Sequence, residues 1–342
     1  MNCLSSLKNT FSLPNVNREY GERGNFELQV FEDVKATYYG SLSDKKFLLN
    51  SSYLSIYTER PQSEVEREKK FAEDSEVIRT DIDIAFVLTS RFYENYQHFL
   101  IEGLVLIYIT SKYFKLDCPV VVPDKPHIRD VVSTCFPELE FIFLDFSQGI
   151  SCQRAIIPTP IVRNLCDFSP YTFESLRFLV ANISKLAREN DSPNSEVDNK
   201  KLFFYRASNK ENSGAGRYIA NESELIDCLT EFDYKTDNVD GCDFIEKYSK
   251  LCDVEFMVTP IGANLLNVLL SSKLKELIVI SHHFAFGEHG RTWFHKLLTS
   301  VIGDGLKVNF FDEVEPLKEE FKEVVNSPYI VNCELLKQQM QR

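Results

Sequence analysis

Apolar runs and helical periods take turns along this chain. The first clean apolar run is Ile82 to Thr89, IDIAFVLT, which predicts a strand. A helical period follows from about Tyr93 to Phe114. PVVVP (119–123), a helical stretch around IRDVVSTCF, LEFIFLD (139–145), RAIIPTP (154–160) and a helix from Pro170 to Arg188 continue the series. Strands that alternate with helices predict an α/β architecture with parallel pairing. Residues 1–80 read as irregular and mixed, with VEREKKFAEDSEV (65–77) as a solvated helix or loop.

ENDSPNSEVDNKK (189–201) then breaks the pattern: it is polar, holds Pro and Ser, and has no apolar period. The break predicts two domains, 1–195 and 196–342. The alternation resumes with KLFFYR (201–206), a helix from NESELIDCL, a helix over DFIEKYSKLC (243–252), the strand VEFMVT (254–259), the helix ANLLNVLLSS (263–272) and the strand ELIVIS (276–281). Asn221, with Glu224 three residues on, has the spacing of a capping box.

The totals narrow the function. At 342 residues with 44% hydrophobic and 26% charged, both halves can bury a core, and long disorder is not expected. A net charge of −13 argues against a nucleic-acid partner, whose phosphates call for a basic surplus. It leaves room for one bound diphosphate, which needs only a few local donors. Nine scattered cysteines without a Cys-x-x-Cys pair read as buried or incidental thiols of a reducing compartment. The N-terminus has no basic segment followed by an apolar core, and the most apolar stretch, Phe99 to Thr110, is too short to cross a bilayer. The expected location is the cytoplasm, with peripheral membrane association only through partners.

Three places carry candidate chemistry. In Asn95-Tyr96-Gln97-His98-Phe99 with Glu102, helical spacing puts Asn95, His98 and Glu102 within about 60° of one another, just after a strand. An imidazole beside a carboxylate can take a proton from a hydroxyl, and a solvated helix start fits the same residues. Arg206 ends a strand and is followed by Ser208, Asn209, Lys210 and Arg217. Such cations suit a diphosphate, although a charged surface loop has the same composition. Thr259-Pro260-Ile261-Gly262-Ala263-Asn264, with Asn267 one turn on, places a glycine turn between a strand and a helix. Free N–H groups there suit phosphate, and helix-on-sheet packing explains a lone glycine equally. Asp81-Ile82-Asp83 resembles a metal-binding Asp-x-Asp but opens a strand, where a metal pair is expected at the far end. Four of six histidines, His282, His283, His289 and His295, lack the spacing of a zinc site and read as polar surface.

Taken together and in order, these segments resemble glycosyltransferase family 61. The family pattern of Asn-aromatic-x-His-aromatic is matched by Asn95 to Phe99. Arg206, Arg217, Asn221 and Glu222 stand where the family has an arginine ending a strand, a second arginine and an Asn-Glu pair. Glu246 and Lys247 stand at its Glu-Gln pair, and Gly262, Ala263 and Asn267 at its Gly-Ala turn, with Asn264 inside that turn. Ile261 departs from the family's His before Gly-Ala, Lys247 from its Gln, and Ser281-His282 from a frequent carboxylate.

The resemblance implies a GT-B-type fold: two Rossmann-like α/β domains facing across a cleft, acceptor side first and nucleotide-sugar side second. It also places the last helices (317–342) back on the first domain. It implies an inverting, metal-independent glycosyltransferase with no cofactor. The nucleotide-sugar donor is a substrate, and the acceptor is a glycan or lipid-linked saccharide, as in capsule and other polysaccharide biosynthesis. His98, with Glu102 and Asn95, would serve the acceptor hydroxyl. Arg206, Arg217, Asn221, Glu222, Glu246, Lys247, Gly262, Ala263, Asn264 and Asn267 would serve the donor. Two alternatives stay open: a metal-dependent transferase using Asp81 and Asp83, and a catalytically silent nucleotide-sugar-binding or scaffold protein, which Ile261 and Lys247 favour.

Overall fold

A computed structural model describes residues 2–13, 26–43, 46–48, 62–159, 168–190, 200–205, 218–281, 283–316 and 328–341. The chain divides into two units, Met1–Asn182 and Ile183–Arg342. The polar break at 189–201 lies largely outside the described residues.

The strands of the first unit are β1 (Asn2–Cys3), β2 (Phe11–Ser12), β3 (Glu27–Thr37), β4 (Gly40–Ser43), β5 (Lys46–Leu48), β6 (Glu76–Val87), β7 (Phe114–Lys115), β8 (Val120–Pro123), β9 (Phe141–Leu144) and β10 (Gln148–Pro158). Eight of them form one sheet in the order β5-β4-β3-β10-β6-β8-β9, with β2 on β3; β1 pairs separately with β7. β10, β6, β8 and β9 run parallel, whereas β3 lies antiparallel to β10 and to β4. The helices are α1 (Gln62–Asp74), α2, α3 (Pro126–Cys135) and α4 (Pro170–Glu189). α2 starts as Tyr96–His98, widens into a π-helical turn at Phe99–Gly103 and continues as Leu104–Tyr113. One core joins Val34 and Ala36 of β3 to Ile82, Val87, Val121, Leu144 and Ile157 of the parallel strands.

Two expectations are corrected here. Residues 27–43 and 46–48 are an antiparallel extension of the sheet, not an irregular segment. The period of β3 is hidden because exposed Glu32 and Asp33 interrupt it, and Asp33 sits at φ 49, a left-handed conformation that a short polar side chain tolerates. β6 begins at Glu76 rather than Ile82; most of its first six residues are exposed, and β8 joins it only at Phe86 and Val87. The charged run 65–77 is α1 and the start of that strand. The apolar stretch around Phe99 to Thr110 is the buried body of α2, and among the described residues no helix is long and apolar enough to cross a membrane.

The second unit holds a parallel five-stranded sheet: β11 (Lys201–Phe204), β12 (Lys235–Asp237), β13 (Phe256–Pro260), β14 (Glu276–Ile280) and β15 (Lys307–Phe311), in the order β12-β11-β13-β14-β15. Runs such as LFF and LIVI are buried almost throughout, as parallel strands covered on both faces must be. The connections are α5 (Glu222–Thr230), α6 (Phe244–Leu251), a 3₁₀ helix Ala263–Leu270 in place of the expected α-helix 263–272, and α7 (His283–Ile302). β16 (Val314–Pro316) pairs antiparallel with β17 (Tyr329–Val331), and α8 (Cys333–Met340) follows. The family resemblance placed 317–342 on the first half; Tyr329, Val331, Cys333 and Leu336 belong to the same core as Phe203, Leu225 and Leu229 of the second unit.

Each sheet has a point where the chain reverses its direction of travel. From β6 the path moves to β8 and β9 on one side and then to β10 on the other. From β11 it moves to β12 and then back across to β13. The carboxyl ends at such switch points are where open α/β sheets leave room for ligands.

Candidate active site

The first candidate site grows from the end of β6. Buried Thr89 and Ser90 follow the strand, and Ser90 Oγ accepts the Phe92 N–H at 3.3 Å, opening a 3₁₀ turn Arg91–Glu94. Asn95 leaves that turn in an extended conformation and caps α2, its Oδ1 accepting the Gln97 N–H at 2.9 Å. This is the role its sequence position suits, because a carboxamide oxygen replaces a carbonyl the helix start lacks. His98 and Glu102 then meet: Nδ1 lies 3.0 Å from Oε1, with 15% of the His98 side chain exposed and 1% of Glu102. A carboxylate oxygen only accepts, so in this hydrogen bond Nδ1 is the donor. The imidazole gives the buried carboxyl group a partner, without which its burial would be costly.

Glu102 lies four residues on from His98, within the π-helical turn, and such turns recur at functional sites. Gly103 permits the fit, since a Cβ on it would come within 2.6 Å of the Phe99 ring. That ring is itself packed edge-on against Tyr93 at 5.5 Å. From the neighbouring helix, His127 Nε2 donates to the Tyr93 carbonyl at 2.8 Å. The structure thus brings Asn95, His98 and Glu102 together on one segment beside a switch point. The helical spacing turns Gly103 toward a core, where it meets Phe99; His127 was not singled out, because nothing in its local pattern announces a contact with the turn.

At the second switch point, β13 ends at Pro260, the Ile261 N–H bonds to Ile280 O at 2.8 Å, and Gly262 leads into the 3₁₀ helix. Gly262 is extended, at φ 160, so its backbone demands no glycine. A Cβ there would meet no described atom within 4 Å. Helix-on-sheet packing therefore does not account for this glycine. Asn267 is 1% exposed within the same 3₁₀ helix. Ala263 and Asn264 begin that helix. Arg206 and Arg217 lie outside the described residues.

The remaining donor-side residues are engaged by the fold. Asn221 is not the expected side-chain cap of α5. Its Nδ2 donates to Val331 O at 2.9 Å and to Glu224 Oε2 at 3.0 Å, and its Oδ1 accepts the Val331 N–H at 2.9 Å. The carboxamide thus pairs with β17 as another strand would. The capping box of this unit is at α6 instead: Asp243 Oδ1 accepts the Glu246 N–H and Glu246 Oε2 accepts the Asp243 N–H, both at 2.9 Å. Lys247 lies over the Phe244 ring, 5.1 Å from its centroid. Glu222 opens α5 beside Asn221.

Asp81 and Asp83 lie in the middle of β6. Arg79 Nε bonds to Asp81 at 3.0 Å and holds its carboxyl below the usual range, and Asp83 accepts from Gln153 Nε2 at 3.2 Å. Among the described residues no three His, Cys, Asp or Glu side chains gather as a cation site. His295 is exposed on α7. Cys118, Cys135 and Cys152 are buried and burial pushes their thiols up to about 12, so they are not thiolate nucleophiles.

The chain matches the family described as Glycosyltransferase 61 over residues 96–282, more than half its length. It belongs to glycosyltransferase family 61. No curated protein matches it. In this member of family 61 the matched span runs from the first residue of α2, one past Asn95, to just beyond β14, so it includes His98, Glu102 and the turn after β13. Of the residues that the resemblance assigned to the donor, Asn221, Glu246 and Lys247 have the backbone or ring contacts just described.

Proposed function

We propose that this family 61 protein is an active, inverting, metal-independent glycosyltransferase. The second unit holds a nucleotide-sugar donor, and the first presents a hydroxyl of a glycan or lipid-linked saccharide. The proposal keeps the GT-B fold that the family resemblance implies and needs no cofactor. The observation that carries this reading is the His98–Glu102 pair, a buried carboxylate orienting a half-buried imidazole beside the switch point of the first sheet.

In this mechanism His98 Nε2 takes the proton of the acceptor hydroxyl while Glu102 steadies the imidazolium that forms. The hydroxyl oxygen bonds to the anomeric carbon, and the sugar–phosphate bond breaks on the opposite side. The bonding pair leaves with the nucleoside diphosphate. Arg206 and Arg217, with the N–H groups of the turn at Gly262, neutralise the leaving charge. Asn95 sets the start of the helix that carries His98. The Asp81 and Asp83 contacts to Arg79 and Gln153 support a route that does not use them as metal ligands. The proposal places this work in the cytoplasm, on capsule-type polysaccharide; the acidic composition supports a partner other than nucleic acid.

Transfer from a panel of nucleotide-sugars, with and without EDTA, tests the proposal. Turnover with at least one donor, unchanged by EDTA, is expected. Activity that vanishes in EDTA and returns with manganese would move the chemistry to a metal. Nucleotide binding without transfer to any acceptor would leave a silent binding protein.

A further inference from the structure

The turn that carries Asn95 is held from outside its own helix. Tyr38 lies in the connection between β3 and β4, on the antiparallel side of the first sheet and far from the family-matched span. It is 1% exposed, yet its hydroxyl reaches the surface turn and donates to Glu94 Oε1 at 2.7 Å. Burial and this carboxylate push the phenol well above its usual range, so it stays a donor. Lys125, next to α3, approaches the same carboxylate oxygen at 3.9 Å and lies 5.5 Å from the centre of the Tyr38 ring. On the other flank His127 holds the Tyr93 carbonyl.

Glu94 is the last residue of the 3₁₀ turn, and Asn95 is the next. Asn95 accepts the Gln97 N–H through its side chain and the Phe99 N–H through its backbone carbonyl at 3.1 Å. Any shift of Glu94 is passed through Asn95 to both amides that flank His98. A free carboxylate on an exposed turn has no reason to keep one position, whereas one bonded to a buried phenol is tied to the sheet.

We propose that Tyr38 is a positioning residue: its hydroxyl, acting through Glu94, sets the place of the Asn95–His98 turn for the acceptor step. This rests on the reading of His98 as the base. It deepens that reading by tying the catalytic segment to the antiparallel extension of the sheet.

The test uses the full chain with Tyr38→Phe, Glu94→Ala, the double variant and Glu94→Gln, which keeps an oxygen for the phenol. Two readouts are taken: hydrogen exchange of the Gln97 and Phe99 amides, and turnover with nucleotide affinity alongside. Loss of the charged hydrogen bond should speed exchange of those amides about tenfold and lower kcat by a similar factor, with nucleotide Kd unchanged. Glu94→Ala should match Tyr38→Phe, the double variant should be no worse than either, and Glu94→Gln should restore most of both readouts. Unchanged exchange in Tyr38→Phe, additive losses in the double variant, failure of Glu94→Gln, or faster exchange with full turnover would each overturn the proposal. If the unaltered chain transfers no sugar, the proposed function fails, while the exchange readout still decides whether Tyr38 holds the turn.

Discussion

The two switch points use their polar residues differently. Beside β6, the candidate residues act on one helix: Asn95 caps it, and its His98 and Glu102 are paired, with Glu102 buried. Around β11 and β13, several candidates are turned back into the fold. Asn221 is bonded to β17, and Glu246 closes a capping box with Asp243. At Gly262, by contrast, a Cβ would meet no described atom within 4 Å. A polar side chain near the carboxyl end of a strand is thus placed for chemistry by topology, but its hydrogen bonds decide whether it does chemistry or holds the helix that follows.

This contrast can be broken most sharply by crossing one residue from each side. His98→Ala should cut turnover by about a hundredfold or more, the scale of lost general-base help, while leaving nucleotide affinity intact. Arg206→Ala should do the reverse, weakening nucleotide binding by about 1.5–3 kcal/mol for a lost charged hydrogen bond. Calorimetric binding beside turnover separates them. If His98→Ala loses nucleotide binding but keeps turnover at saturating donor, the division of labour between the two sheets is wrong.

A smaller effect distinguishes a fold residue from a donor residue. Asn221→Ala leaves the Val331 N–H and carbonyl without their carboxamide partner, so it should lower unfolding stability by about 2 kcal/mol, with nucleotide affinity unchanged in the folded protein. Urea unfolding with a parallel binding titration reads both. An unmoved urea midpoint with weakened nucleotide binding would return Asn221 to the donor site and erase the contrast.

The smallest expected change in stability is at Gly262. With an extended backbone and open space at its Cβ position, Gly262→Ala should shift stability by no more than about 0.5 kcal/mol. If a diphosphate lies against the turn, the added methyl should still cost about 1–3 kcal/mol of nucleotide affinity through crowding. Equal affinity in the variant would show that the donor does not touch this turn.

The local pattern by itself determined most of the described strands and helices over 82–159 and 201–281, because strands buried on both faces must be written as continuous apolar runs; it did not show β7 or β12, since Phe114–Lys115 and Lys235–Asp237 are short and form no such run. It also determined the meeting of His98 and Glu102, which follows from their spacing on one helix whatever lies around it. The antiparallel strands β3 and β4 were not legible: the faces of β3 are unequally buried, and the charged pair Glu32-Asp33 breaks its period between the stretches that β2 and β4 pair with. Nor could local sequence choose between two similar capping signals, Asn221-x-x-Glu224 and Asp243-x-x-Glu246. Asp243 sits in an extended conformation and closes its box. Asn221, at φ −103 and ψ 40, is claimed by Val331, 110 residues along the chain. Only the folded chain brings that competitor within reach, and a carboxamide that pairs with a strand cannot also cap the helix beginning beside it.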